Sequence, residues 1–327
     1  MSTSILMNID GLSVDYLTSY GRVLALRKVD IQIPVGQARG LVGESGCGKS
    51  TVALAIMGLL AENAVVSGGT IMFEGRNILK LSKKEINRIR GNKISMIFQD
   101  PMTSLNPMLP IRTQITDIQY WQPIGTKQKH QRAEEMLGRV GISDPPKSMQ
   151  NYPHEFSGGM RQRIMIAMAL LSRPSLLIAD EPTTALDATL EAQIVDLLLE
   201  LKAQFHFSIL FVSHNLRLVA DICDQVTVMY AGECVESGST ESVLERPLHP
   251  YTQALVECDP ARIRLQTRIL PTIPGEVPDL VDLQPGCVFL DRCKAATAPC
   301  EQTRPPLCEI RSGHAAACHQ LSNGGRS

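Results

Sequence analysis

Aromatic residues are scarce in this 327-residue chain, at 4%, with a single tryptophan. So few rings offer no platform for stacking bases, which argues against a single-stranded nucleic-acid surface. Charge of one sign is also lacking: 32 Lys and Arg stand against 33 Asp and Glu, a formal net charge of −1. No basic field is present to draw in nucleic acid or an anionic membrane. Long hydrophobic runs are missing too. The longest, such as Val52–Leu60 and Ile164–Leu171, fall well short of the roughly 20 residues that span a bilayer. The opening MSTSILMNID has no basic segment ahead of an apolar one, so no signal peptide is expected. The expected compartment is the cytosol, with any membrane contact made through a partner.

What is present is ordinary for a globular protein: 44% hydrophobic and 20% charged residues. That is enough for one large domain plus an appendage, or two modest domains. The segments ILMNIDGLSVDYL and ALRKVDIQIPVGQ alternate apolar and polar residues, as half-buried antiparallel strands do. ARGLVGESGCGKSTVALAIMGLL reads as strand, glycine turn and helix. GGTIMFEGRNI reads as a hairpin, and KISMIFQD as a buried strand ending on polar residues. From about Pro101 to Tyr152, proline turns and the polar helical pattern KQKHQRAEEMLGRVG predict an inserted helical lobe. LLIAD and SILFVSH then flank the helical pattern ATLEAQIVDLLLELKAQF, the strand–helix–strand alternation of an α/β domain. VTVMYAGECVESG reads as a hairpin turning near Gly232. Beyond Pro247 proline and cysteine accumulate and periodicity fades.

Gly43, Glu44, Ser45, Gly46, Cys47, Gly48, Lys49 and Ser50 match the phosphate-binding loop G-x-x-x-x-G-K-[ST] in full, and Thr51 carries it into a helix. Glycines let the backbone N–H groups turn inward to phosphate, and the helix adds its positive end. Lys49 would bring a point charge to the β and γ phosphates, and the Ser50 hydroxyl would ligate Mg²⁺. By itself this loop says only nucleotide binding. Leu176–Asp180 is an apolar strand followed directly by Glu181. Asp180 falls where α/β sheets place their ligands and would hold Mg²⁺ through water. Glu181 would polarise the attacking water. Ser157, Gly158 and Gly159 open a further helix, a second set of N–H donors for an anion. One chain needs no second cradle for one nucleotide, so these donors suit a second subunit facing the first.

In this order the motifs resemble those of the ABC transporter ATPases. The resemblance implies an ABC ATPase fold: a parallel, RecA-like sheet core with the phosphate loop, an N-terminal antiparallel β subdomain, an inserted helical subdomain at about 101–170, and a small Cys-rich C-terminal domain. It places the ATPase domain at 1–246 and the extension at 247–327. It makes Gln99 the Q-loop glutamine that contacts Mg²⁺ and couples to the membrane subunit. Ala185-Leu186-Asp187 becomes the D-loop, with Asp187 tying two subunits together, and His214 the switch histidine at the γ-phosphate. Tyr16 is the candidate for stacking on adenine, and Tyr20 its rival. Cys47, Phe156, Met160 and Asn215 depart from the usual pattern without removing a group assigned to phosphate, magnesium or water; at Cys47 only the backbone is expected to matter.

Gln99-Asp-Pro-Met-Thr-Ser-Leu-Asn-Pro107 and His249-Pro-Tyr-Thr-Gln-Ala-Leu255 are similar to stretches of the oligopeptide, dipeptide and nickel importer ATPases. That resemblance implies ATP and Mg²⁺ as ligands and hydrolysis coupled to bacterial peptide import. It further implies a second, different ATPase subunit, two transmembrane permeases and an extracytoplasmic solute-binding protein, with this chain on the cytoplasmic face of the inner membrane. Nickel, glutathione and opines fall within the same range of cargo. Nine cysteines are present, five of them in the tail. In a reducing compartment such a group suits a metal more than disulfides. The resemblance implies a [4Fe–4S] cluster on Cys287, Cys293, Cys300 and Cys318, with Cys308 spare; thiols packed as small hydrophobes are the plainer reading.

Two other classes carry the phosphate loop. Soluble ABC ATPases of DNA repair insert a long coiled coil between the halves of the site, and no heptad run lies between Ser50 and Ser157. Those of translation carry two tandem copies, and one is seen here. A phosphate-loop kinase leaves Ser157–Gly159 and His214 without a role.

Overall fold

Alternate residues of the first apolar segment bury on one face and form β1 (Ile5–Thr18), which pairs antiparallel with β2 (Gly21–Pro34). The structure, a computed structural model, describes residues 4–99, 104–184, 186–259, 271–281 and 283–322. These fall into two compact units. The first comprises Met1–Pro34, Ala38–Leu79 and Phe211–Ser327, and the second Val35–Gln37 and Lys80–Leu210.

In the first unit β2 leads to β3 (Ala38–Val42), buried throughout, and the glycine loop delivers the chain into α1 (Lys49–Met57). The strand β4 (Ala64–Phe73) and the short β5 (Arg76–Asn77) complete a four-stranded sheet ordered β2-β1-β4-β5. This is the expected N-terminal antiparallel sheet.

The second unit starts with α2 (Lys83–Ile89), which the periodicity did not announce. Its start is a reciprocal cap: the Glu85 amide donates to Ser82 Oγ at 3.4 Å, and the Ser82 amide to Glu85 Oε2 at 3.0 Å. After β6 (Ile94–Ile97) come α3 (Ile111–Asp117), α4 (Thr126–Arg139) and α5 (Pro145–Ser148), the expected helical lobe. Pro101, Met102 and Thr103, at its expected start, lie outside the described residues. The polar α4 buries only Ala133, Met136 and Leu137, a narrow apolar stripe. Then follow α6 (Gly158–Leu170), β7 (Leu176–Asp180), α7 (Ala188–Phe205) and β8 (Ser208–Ser213). β6 runs parallel to β7, and the order is β8-β7-β6. Every residue of β7 and β8 is buried, which is why both read as unbroken apolar runs.

The chain re-enters the first unit at Phe211, within β8, and continues with α8 (Leu216–Ile222), the hairpin β9 (Gln225–Tyr230) and β10 (Glu233–Ser239), and α9 (Thr240–Glu245). β9 runs parallel to β3. Beyond Pro247, where the sequence showed little pattern, the chain forms α10 (Pro250–Glu257), α11 (Ala298–Gln302), β11 (Cys308–Arg311), β12 (His314–Ala316) and α12 (His319–Ser322). The tail hairpin extends the sheet in the order β11-β12-β10-β9-β3. Strands of three and four residues carry too few alternations to be seen in sequence. Their register comes instead from β10, where Glu236 pairs with Ala316.

Glu236 is wholly buried, and its carboxylate is satisfied three ways. His314 Nε2 lies 2.7 Å from Oε1, and the amides of Leu248 and His249 donate at 2.8 Å each. A buried charge needs such a set of donors. His249 then caps α10, its Nδ1 accepting from the Tyr251 amide at 3.0 Å. That bond needs the unprotonated nitrogen, and burial lowers the His249 pKa to about 4. The unfolded chain therefore takes up this proton near pH 6.5 and the folded chain only near 4. Stability is complete above 6.5 and falls by about 1.4 kcal/mol per pH unit between the two values. The thermal midpoint of His249→Asn is expected to fall less steeply from pH 6.5 to 4 than that of the wild type. Equal slopes would remove His249 from this role.

Candidate functional site

The phosphate loop is set by what surrounds its glycines. A Cβ on Gly43 would lie 2.1 Å from the Met229 carbonyl oxygen, and one on Gly48 2.8 Å from that of Ala25. Both have positive φ, 152° and 102°, so glycine is required twice over. The Gly232 amide donates to the Cys47 carbonyl at 3.1 Å, tying the β9–β10 turn to the loop. Lys49, 5% exposed, donates from Nζ to the carbonyls of Gly43 at 2.7 Å and Glu44 at 3.0 Å. Ser45, Gly46 and Ser50 are exposed, and Thr51 is half-buried.

Cys47 lies within the loop, between Gly46 and Gly48. Its side chain is buried, with Sγ 3.7 Å from Lys49 Nζ and a thiol pKa raised by burial. Tyr16 is half-buried within β1, paired with Val23 and Ala64, and its rival Tyr20 is 91% exposed. His214 follows β8 and is exposed. Asn215 caps α8 by accepting from the Arg217 amide at 3.0 Å, a role in which Asn serves as well as Asp.

In the second unit Asp180 ends β7, buried, and Glu181 follows in the left-handed region at φ 46°. Such a conformation is costly for a side chain with a Cβ and collects at working sites. The Glu181 Oε2 accepts from Gln99 Nε2 at 3.1 Å and from Thr184 Oγ1 at 3.0 Å. Two residues 82 positions apart thus meet, and Gln99, assigned to magnesium from the sequence, is seen bonded to the assigned base.

Ser157 caps α6, its Oγ accepting from the Met160 amide at 3.3 Å. Gly158 is exposed, while Gly159 is buried, where a Cβ would lie 3.2 Å from Leu190 of α7. Phe156 is buried. Asp187 caps α7 by accepting from the amides of Thr189 and Leu190, each at 3.0 Å. Ala185 lies outside the described residues, as does the Asp100–Thr103 part of the stretch after Gln99.

The sequence reading missed an aromatic group beside the loop. Tyr230, Tyr251 and Phe289 pack with ring centroids 4.6 to 5.4 Å apart, and Arg292 lies over the Tyr230 ring at 5.7 Å. The Glu44 amide donates to the Tyr251 hydroxyl at 2.9 Å. Arg292 also forms an ion pair with Glu44, whose carboxylate raises the guanidinium pKa. The only signal in the sequence was Tyr251, inside the HPYTQAL stretch.

A lysine-bearing glycine loop between β3 and α1, an Asp-Glu pair at a buried strand end and a Ser-Gly-Gly helix start define an ATP-binding cassette, an ATPase. Two solved structures share the fold. A dimeric ATP-binding cassette, MJ0796, in a post-hydrolysis state bound to ADP and Pi, has a TM-score of 0.64 at 24% identity over 72% of this chain and 98% of that one. The cbiO1 protein of Clostridium perfringens, part of the cbiONQ ABC transporter complex, has a TM-score of 0.65 at 27% identity over 74% and 92%. Residues 26–184 match the family described as ABC transporter, and residues 235–300 the oligopeptide/dipeptide transporter C-terminal region. The probable peptide ABC transporter ATP-binding protein y4tR of Sinorhizobium fredii is 46% identical over 96% of this chain and 94% of its own length. The oligopeptide transport ATP-binding protein OppD of Escherichia coli is 46% identical over 96% and 92%. The chain belongs to the ABC transporter ATP-binding proteins, in the branch that carries the oligopeptide/dipeptide transporter C-terminal region.

Proposed function

We propose that this chain hydrolyses ATP to drive a bacterial importer of di- and oligopeptides. The observation that carries the reading is the joining, in one chain, of the cassette at 26–184 and the peptide-transporter tail at 235–300. Relatives named for peptide transport over nearly the whole length favour peptides above nickel, glutathione or opines, and above a repair or translation role. Among the described residues no helix is long and apolar enough to cross a membrane, so passage of cargo falls to partners. These are two permeases, a second ATPase subunit and an extracytoplasmic solute-binding protein, with this chain at the cytoplasmic face of the inner membrane. Phe98, Met108 and Leu109 are exposed apolar residues flanking the segment after Gln99, a fitting place for a permease to dock.

In this reading residues 43–51 cradle the phosphates and Lys49 neutralises them. Tyr16 stacks on adenine and His214 reaches the γ-phosphate. Ser50, Gln99 and Asp180 supply the few hard oxygen donors that Mg²⁺ takes from a protein; Asp180, a buried carboxylate at a strand end, fits that demand. Bound Mg²⁺ screens the charge that builds on the phosphates. Glu181 takes the proton of the attacking water, released from Gln99 and Thr184 to do so. Ser157, Gly158 and Gly159 cover the partner subunit's nucleotide, and Asp187 joins the two subunits. ATP closes the pair and hydrolysis reopens it.

The donor chemistry of the tail suits a soft cluster. Burial pushes the Cys287 thiol up to about 11, and Cys300, Cys293 and Cys318 each add to that shift, so a cluster would have to displace a firmly held proton there. Cys308 is exposed and outside this group. Among the described residues no three His, Cys, Asp or Glu are disposed to hold a metal ion, so the cluster rests on the resemblance and on the thiolate preference of iron–sulfur centres.

One preparation tests both readings. The complex purified anaerobically is expected to contain permeases and to show ATPase activity stimulated by peptide-loaded binding protein. It is also expected to absorb in the visible range, an absorbance lost in Cys293→Ser. Co-purification with ribosomes or repair proteins in place of permeases would overturn the transport reading, and a colourless, iron-free complex the cluster.

A further inference from the structure

Arg292 sits in the cysteine-bearing tail, one residue before Cys293, and is 7% exposed. Each nitrogen of its guanidinium is engaged. Nε donates to the Pro274 carbonyl at 2.9 Å. Nη1 donates to Glu44 Oε2 at 2.7 Å and to the Tyr230 hydroxyl at 3.2 Å. Nη2 donates to Glu44 Oε1 at 3.1 Å and to the Ile273 carbonyl at 3.1 Å. A guanidinium forked onto a carboxylate, with its other donors taken by fixed acceptors, has one orientation available and imposes it on its partner.

That partner belongs to the phosphate loop. Glu44 is held at its carboxylate by Arg292 and at its amide by Tyr251, which is itself wedged against Tyr230 and Phe289. The Glu44 carbonyl is in turn one of the two that seat the Lys49 ammonium. A continuous set of bonds runs from the tail through Glu44 to the lysine that meets the phosphates.

We propose that Arg292 is a positioning residue for ATP: it sets Glu44, and through Glu44 the seat of Lys49, so the C-terminal extension forms part of the nucleotide site. This rests on the reading that residues 43–51 hold the phosphates. Arg292 does not touch the nucleotide. A residue that merely anchored the tail would change thermal stability without changing affinity for ATP, or would act independently of Glu44.

The experiment is a titration of the full-length chain with a fluorescent ATP analogue and Mg²⁺, with thermal midpoints measured alongside. Arg292→Lys keeps the charge and loses the fork; its Kd is expected to rise about tenfold, the cost of a charge-assisted hydrogen bond. Glu44→Gln, which leaves Arg292 in place, is expected to show a similar rise and carries the test if Arg292→Lys does not fold. The double variant is expected to bind no more weakly than the weaker single one, because both break the same link. Arg304→Gln, which breaks the separate tail pair with Glu233, is expected to bind as the wild type does. Wild-type affinity in Glu44→Gln, or losses that multiply in the double variant, would overturn the positioning role. A wild-type chain that bound no analogue would overturn the reading of the loop itself.

Discussion

Glu181→Gln is expected to keep ATP bound and to lower turnover by about 10²- to 10⁴-fold, the range a positioned general base contributes. The substitution isolates chemistry from structure. Gln has the same length, and its amide oxygen still accepts from Thr184 Oγ1, now 3.0 Å from the carboxylate. The contact with Gln99 Nε2, now 3.1 Å, can be kept through that same oxygen. The left-handed backbone at φ 46° is no harder for Gln than for Glu. What disappears is the capacity to take a proton from water. The loss should therefore fall on kcat, with binding and the thermal midpoint preserved. Unchanged ATPase activity would remove Glu181 from the reaction.

Lys49→Ala is expected to act on the other half of the rate law and weaken nucleotide binding itself. The ammonium is buried and rests on the carbonyls of Gly43 and Glu44 at 2.7 and 3.0 Å. Its removal takes away the charge offered to the phosphates and the tie that gathers the loop. A hydrogen bond to a charged group contributes about 1.5–3 kcal/mol, so affinity should fall roughly 10- to 100-fold or more. A Kd for ATP within twofold of the wild type would show that Lys49 does not reach the phosphates. The two variants separate cleanly: one loses turnover and keeps its affinity, the other loses affinity.

The loop was legible because its chemistry constrains sequence locally. Gly43 and Gly48 have no room for a Cβ, and Lys49 must follow them within a few residues. The buried strands β7 and β8 were legible because burial on both faces leaves no polar position. α2 was hidden because a seven-residue helix is marked mainly by its cap, Ser82 with Glu85. The contact of the Cys47 thiol with the Lys49 ammonium was not legible, because a loop pattern describes backbone and says nothing of which side chains meet.

By itself the sequence determined the class of chemistry: the glycine loop, the Asp180–Glu181 strand end and the capped Ser157 helix start are each contained in a few adjacent residues, where local geometry leaves little choice. Only the tertiary structure decided which distant side chains meet those pieces. It set Gln99 on Glu181, 82 residues apart, and Arg292 on Glu44, 248 residues apart. Such pairings are made by long-range packing of strands and rings, and no periodicity along the chain encodes them.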